Sequence, residues 1–168
     1  YCLKCGAKIS GDYDFCIECK NEDHEFNRAR SVFVYNEKSA PAILKFKYGG
    51  TKAFASPLAR LLAKRFEMVD IIADVVTFVS MPKEREKQRG YNQSFELCKE
   101  FSVLTGLPLV ESLQRVKDTL RQATLGKAER RKNLENSFKA INKQDFKNKD
   151  VLLIDDVVTT GATADECS

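Results

Sequence analysis

Two adjacent carboxylates, Asp155 and Asp156, directly follow the short apolar run "VLLI" at residues 151–154. An apolar, β-branched-rich run of this length is typical of a strand in a parallel sheet that is covered on both faces. Ligands of open α/β sheets bind beyond the carboxyl ends of such strands. Two carboxylates there can accept hydrogen bonds from two neighbouring hydroxyls, such as the 2′ and 3′ groups of ribose, and a magnesium ion could share the site through water.

A threonine-rich stretch follows the acids and predicts an anion site. It comprises Thr159, Thr160, Gly161, Ala162 and Thr163 and runs into the helix-favouring sequence "ATADEC". Backbone N–H groups, hydroxyl donors and a helix N-terminus together favour a phosphate monoester. The competing interpretation is a buried strand followed by a helix with a threonine cap, and the two acids favour the phosphate site over it.

Four cysteines near the start of the chain form two Cys-x-x-Cys pairs separated by ten residues: Cys2, Cys5, Cys16 and Cys19. This spacing predicts a closed tetrahedral zinc site with a structural role, because each pair brings two thiolates to one side of a tight turn. A segment this short cannot build its own core, so the metal would supply the folding energy. The alternative is a pair of disulfides in a secreted protein, but nothing else in the sequence suggests export.

His24 is the only histidine and lies just past the second cysteine pair. It could be a spare metal ligand or a polar surface residue, and we expect a surface residue. Its isolation argues against histidine acid/base catalysis in this chain. Cys98 lies in the amphipathic sequence "SFELCKEF" and is expected in the core.

A second charged segment follows a predicted strand at residues 74–79. We expect a loop there that carries Lys83, Arg85, Lys87 and Arg89. Such a cluster suits a polyanion such as pyrophosphate, although a solvated loop is the alternative. Residues 115–132 contain seven basic and two acidic residues, which favours an anionic ligand or a solvated basic helix face.

The remaining pattern predicts the elements that would position these groups. "RARSVFVY" reads as a strand that ends at Tyr35, and a short helix follows with Ser39 as its cap and Gly49 and Gly50 as its stop. A longer helix in "FASPLARLLAKRFE" is expected to bury one apolar face, and another helix opens near Asn92. The residues of that apolar face are Leu58, Leu61, Leu62 and Phe66.

Length and composition fit one domain with a small appendage. The chain has 168 residues, 43% of them hydrophobic, and its net charge of +4 is too small to identify a partner. The sequence contains no apolar run of membrane-spanning length. We predict a zinc ribbon at residues 1–27 and an α/β domain at residues 28–168, with a mostly parallel sheet and helices on both faces.

Two family resemblances extend this interpretation. "VLLIDDVVTTGAT" resembles the phosphoribosyl pyrophosphate signature of type I phosphoribosyltransferases, which implies that Val158 to Thr163 hold the 5′-phosphate and that the acidic pair faces the ribose. "RGYNQS", which contains Arg89, Gly90, Asn92 and Gln93, resembles the R-G-F-N-Q-A signature of the ComF family. A second ComF signature is matched in order by Thr119, Gln122, Leu125, Arg131, Asn133 and Phe138.

These resemblances imply a type I phosphoribosyltransferase-like fold preceded by a zinc ribbon. The implied ligand is phosphoribosyl pyrophosphate or a related ribose phosphate with Mg²⁺. Two interpretations stay open: a phosphoribosyltransferase, or a non-catalytic DNA-binding or partner-binding competence factor that retains the pocket only as a sensor. Asp155 and Asp156 would be its catalytic residues, and Lys83, Arg85 and Arg89 would contact pyrophosphate. The ComF resemblance implies a cytoplasmic role in natural competence, with single-stranded DNA and the proteins of the DNA-uptake machinery as partners.

The sequence also departs from the ComF pattern. The family commonly has a Pro-Val-Pro-like sequence before its first loop, whereas residues 79–82 read "VSMP" and keep only the last proline. The resemblance further implies that a helix and another strand beyond Ser168 complete the sheet.

Overall fold

The computed structural model describes residues 1–117 and 134–168. Within these ranges the chain is a mixture of helices and short strands. The helices are α1 (Ile17–Asn21), α2 (Ala40–Tyr48), α3 (Ala55–Glu67), α4 (Lys83–Arg89), α5 (Gln93–Thr105) and α6 (Ala162–Cys167). The strands are β1 (Val75–Phe78), β2 (Leu113–Arg115), β3 (Phe138–Ala140) and β4 (Val151–Ile154), and 3₁₀ turns lie at Lys52–Phe54 and Lys143–Asp145.

The central sheet is parallel. β1 pairs with β4, with Val75 opposite Val151 and Phe78 opposite Ile154. On its other edge, β1 forms a parallel bridge through Val76 to Leu109. The buried strand β1 therefore lies between the strand β4 and a single bridge at Leu109, which confirms the predicted parallel sheet and places the end of β4 beside the end of β1.

β2 and β3 form a separate antiparallel pair, with Gln114 opposite Lys139. This hairpin-like pair was not anticipated from the sequence. Its strands flank residues 118–133, which lie outside the described residues and include most of the basic segment 115–132. Five residues of the second predicted ComF signature also lie there: Thr119, Gln122, Leu125, Arg131 and Asn133.

A single hydrophobic core joins the helices to the sheet. α5 packs on β1 and β4, and α3 packs on α5. Phe101 and Phe46 are fully buried in this core, and Phe66 meets Phe101 edge-on with 5.5 Å between ring centroids. Cys98 is also fully buried, as predicted, and burial raises the pKa of its thiol to about 12. The second helical layer of the predicted fold class stays a prediction, as do its phosphoribosyltransferase-like topology and the domain boundary at residue 27.

The predicted helices α2, α3 and α5 are confirmed, with Ser39 and Asn92 as N-caps and Gly49 after the last turn of α2. One detail of α3 is wrong, because Leu61 is 42% exposed. The residues of α3 that are fully buried are three alanines at i, i+4 spacing: Ala55, Ala59 and Ala63. Small side chains let α3 approach α5 closely, and Leu58, Leu62 and Phe66 pack at the sides of that contact.

Two predicted elements are wrong. Residues 28–35 are described and form no strand, and Phe33, Val34 and Tyr35 are exposed rather than paired in a sheet. The charged loop after β1 is the helix α4, which ends at Gly90 with a positive φ of 86°. Its sequence "KEREKQR" consists of good helix formers, with acids in the first turn and bases in the last, so local propensity and the helix dipole favour a helix.

Candidate functional site

The four N-terminal cysteines form one cluster. The sulfur atoms of Cys2, Cys5, Cys16 and Cys19 all lie within 4.8 Å of one another. The Cys5 and Cys16 sulfurs are 3.7 Å apart. A tetrahedral zinc ion with bonds of about 2.3 Å requires sulfurs about 3.8 Å apart, so the geometry fits such an ion, and the zinc-ribbon prediction agrees with it.

Local backbone geometry brings the two cysteine pairs together. Gly6 donates its N–H to the carbonyl of Cys2 at 3.0 Å and has a φ of 74°, which closes the first turn. A Cβ at Gly6 would lie 2.7 Å from the carbonyl oxygen of Ala29, so only glycine fits there. Cys16 is the N-cap of α1 and accepts from the N–H of Cys19, which closes the second turn. All six cysteines are described and are free thiols, so the disulfide alternative is not supported.

The acidic pair lies where β4 ends, as the sequence predicts. Asp155 accepts from the hydroxyl of Ser94 at 3.1 Å and from the N–H of Asp156 at 2.8 Å. Asp156 forms an ion pair with Lys47, with 2.9 Å between Nζ and Oδ1. Both members of that pair are largely buried, because 21% of the Lys47 side chain and 14% of the Asp156 side chain are exposed.

The two carboxylates have different electrostatic environments. Burial, followed by the neighbouring charge of Asp156, raises the pKa of Asp155 from 3.8 to about 7. The N–H of Asp156, the charge of Lys47 and the hydroxyl of Ser94 lower it, but they do not offset the burial. Asp155 therefore changes its charge near neutral pH, whereas the oxygen of Asp156 is already engaged by a cation.

The "RGYNQS" segment connects α2, β1 and the acidic pair. Tyr91 is buried and its hydroxyl donates to the carbonyl of Phe46. Gln93 is fully buried and donates to the carbonyl of Lys47 at 3.4 Å. These two bonds fix the end of α2, so they hold Lys47 where it reaches Asp156.

Asn92 and Arg89 complete this network. The side chain of Asn92 caps α5 by accepting from the N–H groups of Ser94 and Phe95, and it donates to the carbonyl of Val79 at 3.1 Å. The guanidinium of Arg89 donates to Gln93 at 2.6 Å. The positive φ of Gly90 turns the chain between α4 and this cap. Residues 89–94 therefore contact the end of α2, the end of β1 and Asp155.

The loop after the acids turns back at Gly161, which has a φ of 80° and precedes α6. Val158 and Thr159 are exposed, Thr160 and Thr163 are half-buried, and Ala162 is buried. The N–H of Ala162 donates to the hydroxyl of Thr160 at 3.4 Å. The loop therefore exposes Val158 and Thr159, and its role in binding an anion stays a prediction.

The basic residues predicted to contact pyrophosphate do not lie together. Arg85 and Arg89 line the same broad cleft as Asp155, Asp156 and the threonine loop. The guanidinium of Arg89 stacks 4.9 Å from the ring centroid of Tyr48. Lys83, at the other end of α4, instead lines a separate depression of about 340 Å³ with residues 114–117. Because α4 is a helix and not a loop, its basic side chains point in different directions.

Three residues at the site were not identified from the sequence. Lys47 is one of two lysines in α2, and only the three-dimensional contact with Asp156 distinguishes it from Lys45. Ser94 lies in a recognised motif but had no assigned role. His24 was expected on the surface and that prediction is wrong, because only 5% of its side chain is exposed and its Nδ1 donates to Asp165 at 2.9 Å.

The fold and the site define an α/β protein with an N-terminal four-cysteine cluster that could hold a metal ion and an acidic pair at the carboxyl end of a parallel strand. Competence protein F of Haemophilus influenzae is 31% identical over 176 residues, which cover 100% of this chain and 76% of that protein. The chain therefore belongs to the ComF family. No protein-family profile matches the chain.

Two further relatives are more distant. DNA utilization protein YhgH of Escherichia coli is 28% identical over 172 residues, covering 98% of this chain and 74% of that protein. Competence protein ComFC of Bacillus subtilis is 28% identical over 138 residues, covering 80% of this chain and 53% of that protein. Within residues 1–117 and 134–168, none of the helices has the length and apolar character needed to cross a lipid bilayer.

Proposed function

We propose that the protein binds phosphoribosyl pyrophosphate or a related ribose 5-phosphate compound in the cleft beyond β4. The proposal is carried by one observation: the carboxylates of Asp155 and Asp156 lie at the end of a parallel strand and continue into a threonine- and glycine-rich loop in the same cleft. Ribose 5-phosphate carries vicinal hydroxyls, which can donate to carboxylates, and a phosphate, which can accept from the N–H groups and hydroxyls of the loop.

Each group has a distinct role in this proposal. Asp155 and Asp156 accept from the ribose hydroxyls, and residues 158–163 donate to the 5′-phosphate. Arg85 and Arg89 line the same cleft and supply positive charge for a pyrophosphate, and Lys83 at the start of α4 adds to that charge. Mg²⁺ bound with the ligand would neutralise the diphosphate, and carboxylate oxygens are suitable partners for its water shell.

In a transfer reaction this arrangement would act by placement and electrostatics. Asp155 and Asp156 lie beside the position of the ribose ring, where an oxocarbenium-like positive charge develops, and ionised carboxylates stabilise that charge. The fixed ends of α2 and α5 hold the acids before the ligand arrives. The acceptor of the ribosyl group is not encoded in any residue identified above.

Calorimetric titration of phosphoribosyl pyrophosphate with Mg²⁺ tests this proposal. We expect saturable binding that weakens by at least about tenfold in the double variant Asp155→Asn, Asp156→Asn, a loss of about 1.4 kcal/mol or more. Asp12→Asn, which changes an exposed acid in the N-terminal segment, is the control and should bind like the original chain. Absence of binding to the folded, zinc-loaded protein would overturn the proposal.

A role in competence is the second part of the proposal. It is supported by the names of the relatives, which include two competence proteins and a DNA utilization protein. We propose that the chain acts in the cytoplasm with single-stranded DNA and with proteins of the DNA-uptake machinery, associated with them peripherally. The basic sequence at residues 115–132 is the part of the chain suited to a phosphate backbone.

Single-strand binding at several salt concentrations separates the two activities. If DNA binds the basic segment, affinity should decrease with salt and should be retained in the Asp155→Asn, Asp156→Asn variant. Charge reversal at Arg130 and Arg131 should weaken it. Failure to bind a single strand at low salt would remove direct DNA binding from the proposal and leave the ribose phosphate site in place.

A further inference from the structure

The N-terminal metal segment and the threonine loop contact each other through His24 and Asp165. The Nδ1–H of His24 donates to both carboxylate oxygens of Asp165, at 3.0 and 2.9 Å. The backbone N–H of Glu25 donates to the same carboxylate at 3.1 Å. Asp165 lies in the first turn of α6, directly after the loop, so this carboxylate ties the start of α6 to residues 24 and 25.

Two stacked rings lie directly against the turn of that loop. The rings of His24 and Phe26 are stacked with centroids 4.6 Å apart. A Cβ placed at Gly161 would lie 3.1 Å from a ring carbon of His24 and 3.1 Å from a ring carbon of Phe26. The rings therefore contact the backbone of the residue whose positive φ reverses the loop.

The rings are in turn fixed by the metal segment. Cys16 caps α1 and Cys19 lies in its first turn, so two of the four metal ligands determine where α1 lies. α1 ends at Asn21, and His24 follows three residues later. Phe26 is buried, with the ammonium of Lys4, which lies between Cys2 and Cys5, 5.8 Å from its ring centroid. Lys4, beside the first cysteine pair, thus lies near the ring of Phe26, and α1, which contains Cys19 of the second pair, ends three residues before His24.

We propose that His24 and Phe26 are positioning residues for the threonine loop, and that through them the metal segment sets the affinity of the phosphate site. The ligand class rests on the proposed function, whereas the positioning itself does not. A loop that contributes backbone N–H groups binds a phosphate well only if those groups already point to one place, because ordering them on binding costs conformational entropy. The ring pair and the Asp165 carboxylate provide that order before the ligand arrives.

Hydrogen exchange of the full zinc-loaded chain tests the positioning. We expect His24→Ala to increase amide exchange in residues 158–165 by about tenfold or more, while exchange in α5 stays unchanged. His24→Asn can still donate to Asp165 from the equivalent position and should restore part of the protection, since it lacks only the ring. Tyr13→Ala removes an exposed ring from the same segment and is the matched control. Unchanged loop exchange in His24→Ala would overturn the inference.

The affinity for phosphoribosyl pyrophosphate with Mg²⁺ is a second, independent measurement that tests the positioning role. His24→Ala and Phe26→Leu should weaken it by about tenfold with little change in melting temperature. If the original chain binds no such ligand but loop exchange still rises, the proposed function fails and the positioning role stands. If the original chain binds the ligand and neither variant changes loop exchange or affinity, the positioning role fails and the proposed function stands.

Zinc removal completes the test through a cycle of two perturbations. Chelation of zinc from the original chain should raise loop exchange as His24→Ala does. In the double variant His24→Ala, Phe26→Leu, chelation should add less exchange than it does in the original chain, because both rings that join the metal segment to the loop are altered. Equal and additive increases would show that the metal does not act through the two rings, and this would overturn the coupling.

Discussion

Asp155 is placed where its ionised form is unfavourable to the fold. Burial and the adjacent charge of Asp156 raise its pKa from 3.8 to about 7, so the folded chain binds a proton there more tightly than the unfolded chain does. A raised pKa stabilises the fold below the unfolded value, and that stability is lost as the pH rises through the folded value. The free energy of unfolding should therefore carry a contribution from Asp155 that falls between about pH 4 and about pH 7.

Replacing this carboxyl by an amide should reverse that loss. In Asp155→Asn the free energy of unfolding, relative to the original chain, should increase by on the order of 1–2 kcal/mol between about pH 5 and about pH 8. Urea denaturation at the two pH values measures the difference, and Asp12→Asn serves as the control. A difference between variant and original chain that is the same at both pH values would contradict the raised pKa.

Lys47 has the opposite influence on the same group. Its ammonium lies 2.9 Å from Asp156 and is one of the groups that lower the pKa of Asp155. Lys47→Met should therefore raise the pKa of Asp155 further, because an uncompensated Asp156 charge disfavours a second carboxylate. Carboxyl ¹³C chemical shifts followed through a pH titration measure this. Lys45→Met, in the same helix and without an ion pair to the acids, should leave the titration unchanged, and a lowered pKa in Lys47→Met would refute the assignment.

The sequence predicted the site residues whose role follows from their neighbours in sequence. The two cysteine pairs and the acids after an apolar strand are short patterns, and the structure places each set as expected. Lys47, Ser94 and His24 could not be assigned in the same way, because their partners are distant in sequence. His24, for example, meets a carboxylate 141 positions later, and nothing near residue 24 indicates that contact.

At the scale of elements, the start of α5 connects the core to the site. Its cap, Asn92, uses both ends of its amide: the oxygen accepts from two helix N–H groups and the nitrogen donates to Val79 at the end of β1. Since Ser94 and Gln93 follow directly, the orientation of α5 determines where Asp155 and Lys47 are held. The helix therefore carries both a packing face and the supports of the acidic pair.

Removing the cap should destabilise the whole fold. We expect Asn92→Ala to lower the free energy of unfolding by about 2 kcal/mol, at the upper end for a lost cap, because the buried carbonyl of Val79 also loses its donor. Urea denaturation measures the change. Asn142→Ala removes the cap of the exposed turn at Lys143–Asp145 and should cost less than about 1 kcal/mol. Equal losses in the two variants would argue against a special role for Asn92.

Elements with strong periodicity were predictable, and those decided by their surroundings were not. α2, α3 and α5 have apolar residues at helical spacing, α5 also has the cap Asn92, and the structure contains all three. Residues 28–35 are apolar enough for a strand but pair with no strand among the described residues, so their pattern was misleading. α4 was read as a loop because its charges suggested a ligand, although its residues favour a helix.

For the whole molecule, the N-terminal segment and the α/β core depend on different stabilising interactions. The core contains Phe46, Phe101 and the parallel sheet, whereas residues 1–27 include one short helix and the cysteine cluster. The free energy that orders the N-terminal segment should come largely from its metal.

Chelation of zinc should therefore open this segment first. We expect protease cleavage within the first forty residues to accelerate after chelation, while the core through α5 stays protected. Limited proteolysis followed by mass spectrometry locates the cuts, and restoring zinc is the control for reversibility. Unchanged protection of the N-terminal segment without metal would contradict a structural role for the ion.

The pairing of β1 with β4 also constrains how the chain acquires its structure during synthesis. Asp74, which precedes β1, accepts a hydrogen bond from the N–H of Asp150, 76 positions later. β4 can therefore pair with β1 only after these intervening residues have left the ribosome. Its bridge to Leu109 spans a much shorter stretch and, with α5 between them, gives β1 an earlier partner. A nascent chain can therefore bury α5 against β1 before β4 emerges, and the acidic pair then reaches supports in α5 that are already folded.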